Sequence, residues 1–239
     1  AADVRVVVAG GRAPQPWANG GGTTRDLALG AAPTGAPPPA FDWRLSLADI
    51  DRDGPFSVLE GVDRVFAPVE GALELVFADQ APRALDGTSA PFAFDGALAP
   101  HARLGGGRPA RALNLMCARG RRIGSMRRVV LADGGTPDAV DLGVSTPAGA
   151  DVLAWYVQDG CVTVGGVVYR AGTLLLHEPS DAAAATPAGA AVPSATHDVA
   201  PPPRAIGPAR LVVIRVSAPI RSPIIRADGG TPPAPRSAP

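Results

Sequence analysis

The sequence predicts an all-β protein, built as a barrel or a sandwich. Three observations carry that expectation. Short alternating or apolar runs, bounded by Gly, Pro, Asp and Asn, recur along the 239 residues. No long segment repeats its apolar residues at helical spacing. Hydrophobic residues make up 46% of the chain but aromatics only 5%, so Ala, Val and Leu must fill a core broken into short pieces by 29 Gly and 27 Pro.

The runs come in order. VRVVVA (4–9) is the first. PWANGGGTTRDLAL (16–29) sets a large ring beside three glycines, and residues 19–29 fit either a short helix or a strand. DWRLSLADI (42–50) alternates, with Trp43, Leu45 and Leu47 on one face and Asp42, Arg44, Ser46 and Ala48 on the other. RVFAPV (64–69), ALELVFA (72–78), RALNLMC (111–117) and RRVVLA (127–132) follow. The last group is DVLAWYVQ (151–158), CVTV (161–164), VVYR (167–170), TLLLHE (173–178) and RLVVIRV (210–216).

An echo organises these runs. VEGALELVF (69–77) and VQDGCVTVGGVVYRAGTLLLHE (157–178) both read as a strand, a Gly-containing turn and an alternating strand. In the second copy Gly165-Gly166 suits the positive φ angles of a two-residue hairpin turn. The rhythm resembles the cupin jelly roll, and two copies predict a bicupin. The expected division is an N-terminal barrel over 1–119, a C-terminal barrel over 120–218 with a Pro/Ala-rich insert at 182–205, and a tail at 219–239. Residues 30–40 (GAAPTGAPPPA), the insert and the tail have compositions that bury little, and are expected to be loosely structured.

Charge narrows the partners. The 22 basic residues, all Arg, balance 22 acidic ones. A neutral chain has no long-range field to draw in nucleic acid or anionic lipid, so neither partner is expected. Arg119, Arg121, Arg122, Arg127 and Arg128 form a local basic run without interleaved aromatics, which reads as a solvated connector. Cys117 and Cys161 make neither a disulfide framework nor a metal pattern. The first residues lack a signal peptide's charged start, and no apolar run approaches the ~18 residues of a membrane span, so the expected location is cytoplasmic.

Most catalytic motifs fail on context. The glycines of PWANGGG follow no buried strand, and no Gly-Lys-Ser/Thr follows them, which argues against a phosphate loop. DIDRDGPFSVLE (49–60) matches a calcium-loop pattern through Asp49, Asp51, Asp53, Gly54 and Glu60. Its flanks alternate as strands rather than helices, so it reads as a charged turn. His101, His177 and His197 include no His-x-His pair, so neither a metal centre nor any cofactor is expected, and His177 reads as structural. No Gly-x-Ser-x-Gly occurs and no histidine neighbours a cysteine. What remains is the polar face of 42–48 and the pair Asp63-Arg64. Either this face meets solvent or it lines a cavity where guanidinium forks grip an anion.

Four stretches, PWANGGGTTRDLAL, FDWRLSLADIDRDGPFSVLEGVDR, PFAFDG and LNLMCARG, closely resemble the HutD/Ves family of bacterial bicupins over roughly residues 3–119. The resemblance implies two cupin-like barrels in one chain, an association with histidine utilisation and no established enzymatic activity. It implies pocket residues at Trp17, Asn19, Thr23, Arg44, Ser46, Asp63 and Arg64. Gly20–Gly22 would bend the chain over a barrel mouth, with Trp17 as a flat wall. The expected partner is a small carboxylate held by Arg44 and Arg64, such as formiminoglutamate, formylglutamate or urocanate, and a homodimer is possible. The competing functions are a cofactor-free isomerase or hydrolase with Asp63 or Asp49 as base, and a protein-interaction module. Arg25, Asp26, Glu60 and Ala112 depart from the family pattern.

Overall fold

The computed structural model describes residues 4–137, 152–177 and 202–219. Its sixteen strands are β1 Val4–Val8, β2 Gln15–Pro16, β3 Gly22–Ala31, β4 Phe41–Ile50, β5 Gly54–Pro55, β6 Val62–Glu70, β7 Ala72–Val76, β8 Arg83–Asp86, β9 Phe92–Asp95, β10 His101–Leu104, β11 Ala110–Ala118, β12 Ile123–Leu131, β13 Val152–Val164, β14 Val167–Arg170, β15 Thr173–His177 and β16 Arg204–Ser217. Among the described residues the only helical pieces are three-residue 3-10 turns. Every ladder is antiparallel, and the expected all-β cupin fold is present.

The strands form three sheets that face one another without closing into complete barrels. The first, ordered β2-β3-β4-β11-β6-β9, is central. One of its faces meets the second sheet, β5-β10-β7-β8, across a core of Ile50, Phe56, Phe66, Leu73, Leu75 and Phe77. Its other face meets the third sheet, β1-β15-β13-β16-β12, across Trp43, Leu45, Leu113, Leu115, Leu174 and Val212. A third core, with Trp155, Leu175 and Leu211, lines the far face of the third sheet. The central sheet is thus buried on both sides. That is why β4 is almost continuously buried although its polar and apolar residues alternate, and why β11, apolar at all but Arg111 and Asn114, is buried along nearly its whole length.

The echo in the sequence corresponds to one structural device used twice. Gly71 (φ +73) follows Glu70, and a Cβ on it would lie 2.7 Å from the carbonyl of Pro109. Gly160 (φ +78) follows Asp159, and a Cβ on it would lie 2.5 Å from the carbonyl of Pro208. Both positions need glycine for the left-handed backbone and for the close approach. The flanking acids pair with matching arginines, Glu70 with Arg111 at 3.1 Å and Asp159 with Arg210 at 3.0 Å. The Gly165-Gly166 hairpin joins β13 to β14 as expected, with φ +58 and +81.

Several elements differ from expectation. Residues 22–31 are a long strand, because Thr23, Thr24 and the apolar residues after them complete the β4 ladder. β1 leaves the N-terminal half and pairs with β15. Its Val7 enters the core between the central and third sheets, so the division at residue 119 does not separate the strands cleanly. β16 begins at Arg204, inside the stretch read as an insert; residues 182–201 and 220–239 lie outside the described residues. The Pro-rich loop is held in place. Arg121 donates to the carbonyls of Pro37 (3.0 Å), Pro39 (2.7 Å) and Phe41 (2.8 Å).

The basic run is likewise engaged rather than merely solvated. Arg121 and Arg122 each lie 3.3 Å from Asp42, and Arg119 bridges Asp63 and Asp95, both at 2.8 Å. Arg128 donates to Gln158 Oε1 (2.5 Å), to the carbonyl of Ser89 (2.6 Å) and to that of Pro68. Gln158 in turn donates to the carbonyls of Val69 (3.2 Å) and Gly87 (2.8 Å), which ties β12 and β13 to the N-terminal half.

Candidate functional site

Register in the central sheet decides which polar side chains meet. Met116 is paired with Arg44 on one side and Arg64 on the other, and Arg64 is paired with Phe94. The next row is Asp26, Ser46, Asn114 and Phe66. Both rows share the inner face with Ala48, Ile50 and Ala112, which belong to the core against the second sheet. Arg44 and Arg64 stand two strands apart, roughly 10 Å between Cα atoms, with Met116 between them.

Arg64 is the unusual member. It is only 5% exposed. Its guanidinium lies over the rings of Phe56 and Phe94, at 5.1 and 5.0 Å from their centres. Its Nε donates to the neutral Asn114 Oδ1 at 3.3 Å. Among the described residues no carboxylate forms a salt bridge with it. Removal from water therefore pushes its pKa down to about 10. Buried charges are normally paired, so a solitary buried cation marks a place where an anion would be welcome.

Its neighbours divide the remaining work. Arg44 is half-buried and donates through Nε to Asp26 Oδ1 at 2.7 Å. Ser46 is buried, and its hydroxyl makes a long bond of 3.5 Å to the Asn114 carbonyl. Trp17 packs against the same core, edge-on to Phe56 with ring centres 6.1 Å apart. Its Nε1 donates to Thr24 Oγ1 at 2.7 Å. Asn19 shapes the turn, accepting from the Gly21 N–H at 2.9 Å and donating weakly to the Pro55 carbonyl at 3.4 Å. Gly20 takes φ +66 there.

Two of the expected pocket residues lie elsewhere. Asp63 alternates with Arg64 along β6, so it is exposed and receives two bonds from Arg119 (3.0 and 2.8 Å). Thr23 alternates with Thr24 and donates to Asp49 Oδ2 at 3.3 Å on the opposite face. There Asp49 is clasped by Arg25 and by Arg111 Nε (2.6 Å). Burial alone would raise the Asp49 pKa, but the bonds from Arg111 and Arg25 outweigh it and hold the carboxyl below its usual range. A cleft of about 310 Å³ opens here, lined by Thr23, Asp49, Asp51, Glu70 and Arg111. It does not include Arg44 or Arg64. The inner face that carries Arg64 also meets the core residues Ile50, Phe56 and Phe66.

The inner face also recruits Asp26, Asn114, Phe56 and Phe94, which the sequence reading did not place in the site. One signal was available: Asn114 is the polar residue inside the run LNLMC, whose other alternate positions are apolar. The calcium-like loop is committed to structure. Asp49 is bound by arginines, and Asp53 accepts from the Leu104 N–H at 2.8 Å. Among the described residues no three His, Cys, Asp or Glu side chains group as metal ligands, and no helix is long and apolar enough to cross a membrane.

Comparison with known proteins agrees with this architecture. HutD from Pseudomonas fluorescens superposes with a TM-score of 0.64 at 23% identity, covering 91% of this chain and all of that one. A conserved protein of unknown function from Pseudomonas aeruginosa gives 0.63 at 21% identity, covering 90% and 100%. A bacterial pirin from Escherichia coli, solved with nickel(II), gives 0.57 at 11% identity, covering 91% and 100%. These likenesses establish the fold. In sequence, an uncharacterized 21.2 kDa protein in the hutC 3′ region of Pseudomonas putida is 37% identical over 71 residues, 29% of this chain. The match spans only 36% of that relative's length. The HutD family profile matches residues 11–186. On that match, which takes in well over half of its length, the chain belongs to the HutD family.

Proposed function

We propose that this chain binds a small carboxylate on the inner face of the central sheet, and through it senses or moderates intermediates of histidine utilisation. One observation carries the reading: Arg64 is buried between two aromatic rings with a neutral amide as its hydrogen-bond partner. A carboxylate there would regain the electrostatic energy that the guanidinium loses on leaving water, with bidentate geometry. Arg44 would add a second fork and Ser46 a hydroxyl, while Trp17 and Phe56 provide the apolar wall. The family and the hutC-region relative support looking among intermediates of histidine utilisation, with formylglutamate, formiminoglutamate and urocanate as candidates.

Binding is favoured over catalysis by the state of the two carboxylates that would act as base. Asp49 is locked by Arg25 and Arg111 with its pKa lowered, away from the neutral range a general base needs. Asp63 is exposed and tied to Arg119. Calorimetric titration of the protein with N-formyl-L-glutamate and with urocanate tests the reading. Saturable binding is expected for at least one, weakened tenfold or more in Arg64→Lys, because a point charge cannot reproduce the fork. Unchanged affinity in a folded Arg64→Lys protein would refute it.

A further inference from the structure

We propose that the cleft beside Asp49 is a second binding site, independent of Arg64, which takes a small organic ammonium and offers it Asp51, Glu70 and the Tyr156 hydroxyl as acceptors. Its volume of about 310 Å³ is at the small end for ligand sites, and Pro109 and Ala110 add an apolar wall to its polar lining. Strand alternation builds it. On β4, Leu45 and Leu47 enter the core between the central and third sheets, and Asp49 is the next residue on that face. On β11, Leu115 and Leu113 enter the same core, and Arg111 follows them. The core thus ends in a charged rim, and the cleft lies there.

Tyr156 reaches this rim from the opposite sheet. It pairs with Leu174 and Val212, belongs to the same core and is 3% exposed. Burial raises the pKa of its phenol, Arg111 lowers it, and Asp49 and Glu70 raise it further, so the hydroxyl end lies within electrostatic reach of all three. Among the described residues that hydroxyl forms no hydrogen bond. A buried tyrosine hydroxyl normally has a partner, and here one could come only from the cleft side.

Most of the charge in the cleft is already paired. Asp49 receives Arg25, Arg111 and the Thr23 hydroxyl. Arg111 donates through Nε to Asp49 and through Nη1 to Glu70 Oε2. Glu70 keeps its other oxygen open, and Asp51 forms no salt bridge among the described residues. Three carboxylates therefore stand against two guanidiniums, and the surplus is negative. Arg52 and Arg108 neighbour the cleft in sequence but do not line it. The surplus suits a cation. A bare metal ion is poorly served, because among the described residues no three such side chains converge. An ammonium, with N–H groups in three directions, can reach acceptors set apart from one another.

The internal duplication separates brace from site. Arg210 corresponds to Arg111, since each is paired with the acid that precedes a duplicated glycine. On its other side Arg210 is paired with Val130, 77% exposed, where Arg111 is paired with Asp49. The second half thus holds its turn with one acid and one arginine. Asp49 and Asp51 are additions of the first half that the brace does not require.

Tyrosine labelled with ¹³C at Cζ provides the test. The chain has two tyrosines, and Tyr169→Phe leaves only the signal of Tyr156. Butylammonium chloride is titrated into the full-length protein at constant ionic strength, with calorimetry alongside. The expected result is a saturable shift of the Tyr156 signal, retained in Arg64→Met. Removing one charged hydrogen-bond partner in Asp51→Asn should weaken the affinity about tenfold. A Tyr156 signal that stays still, or moves equally with sodium chloride, overturns the ammonium site, as does unaltered affinity in Asp51→Asn. Loss of butylammonium binding in Arg64→Met would also overturn it, by moving the amine to the inner face. None of these results bears on carboxylate binding at Arg64, which the titration with N-formyl-L-glutamate and urocanate decides.

Discussion

Replacing Arg64 by Met separates a binding guanidinium from a structural one. Burial lowers the Arg64 pKa to about 10, more than two decades below its ordinary value. At about 1.4 kcal/mol per decade, holding that charge in the fold costs ~3 kcal/mol. The two ring faces return ~1 kcal/mol each and the Asn114 bond about as much, so the terms nearly cancel. Met keeps the apolar volume and needs no hydration. Arg64→Met is therefore expected to leave stability within ~1 kcal/mol of the native protein, or slightly above it, and to abolish carboxylate binding on the inner face of the central sheet. For a chain of this size that is a Tm change of no more than ~4 °C. The sign with pH is fixed as well. A base whose folded pKa is depressed carries its full penalty below that pKa and sheds it as pH rises towards the unfolded value. The stability difference between the two proteins should then be constant from pH 6 to 9. Urea unfolding followed by fluorescence, alongside calorimetry, makes the measurement. A loss of more than ~3 kcal/mol, typical of breaking a buried ion pair, would show that Arg64 has a structural counter-charge and refute the reasoning.

Three further outcomes are expected. A Cβ on Gly30 would fall 2.1 Å from Trp43 Nε1, so Gly30→Ala should lose ~3 kcal/mol in urea unfolding; Gly10→Ala, with open space around it, should lose less than ~0.5 kcal/mol. Equal effects would contradict the packing of Trp43. Asp49, whose folded pKa is depressed, contributes stability above the ordinary carboxylate pKa that disappears as pH falls through the folded value. Asp49→Asn should therefore unfold at lower urea than the native protein at pH 7, and the gap should close towards pH 2. A gap that persists in acid would assign the effect to packing instead. Burial, helped by the charge of Asp63, pushes the Cys117 thiol up to about 12, while Cys161 is partly accessible. A thiol reagent should label one cysteine per chain in the native protein and two in urea, and native labelling at Cys117 would count against the buried core.

Legibility stopped where strands pair. The alternation of DWRLSLADI announced its two faces, because side chains on a strand must point to opposite sides. It left open whether the polar face met water or protein. The third sheet covers Trp43 and Leu45, while the inner face holds Ser46 buried and Arg44 half-buried. Strands β8, β9 and β10 escaped notice because four residues each carry too little periodicity, yet β9 delivers Phe94 to the Arg64 guanidinium. Thr23 and Asp63 were assigned to the pocket from their motif, and a one-residue step of alternation turns both away from it.

The sequence by itself determined the all-β class, the duplicated strand-turn-strand unit with its obligatory glycines, and the two-faced alternation of the motif in the first half. These are local consequences of side-chain alternation and backbone sterics, legible within ten residues. Only the tertiary structure decided that Arg64 has no carboxylate partner among the described residues, and that Asp26 already claims Arg44. Each of those facts depends on the register between strands dozens of residues apart, and register is fixed by the packing of whole sheets rather than by any one segment.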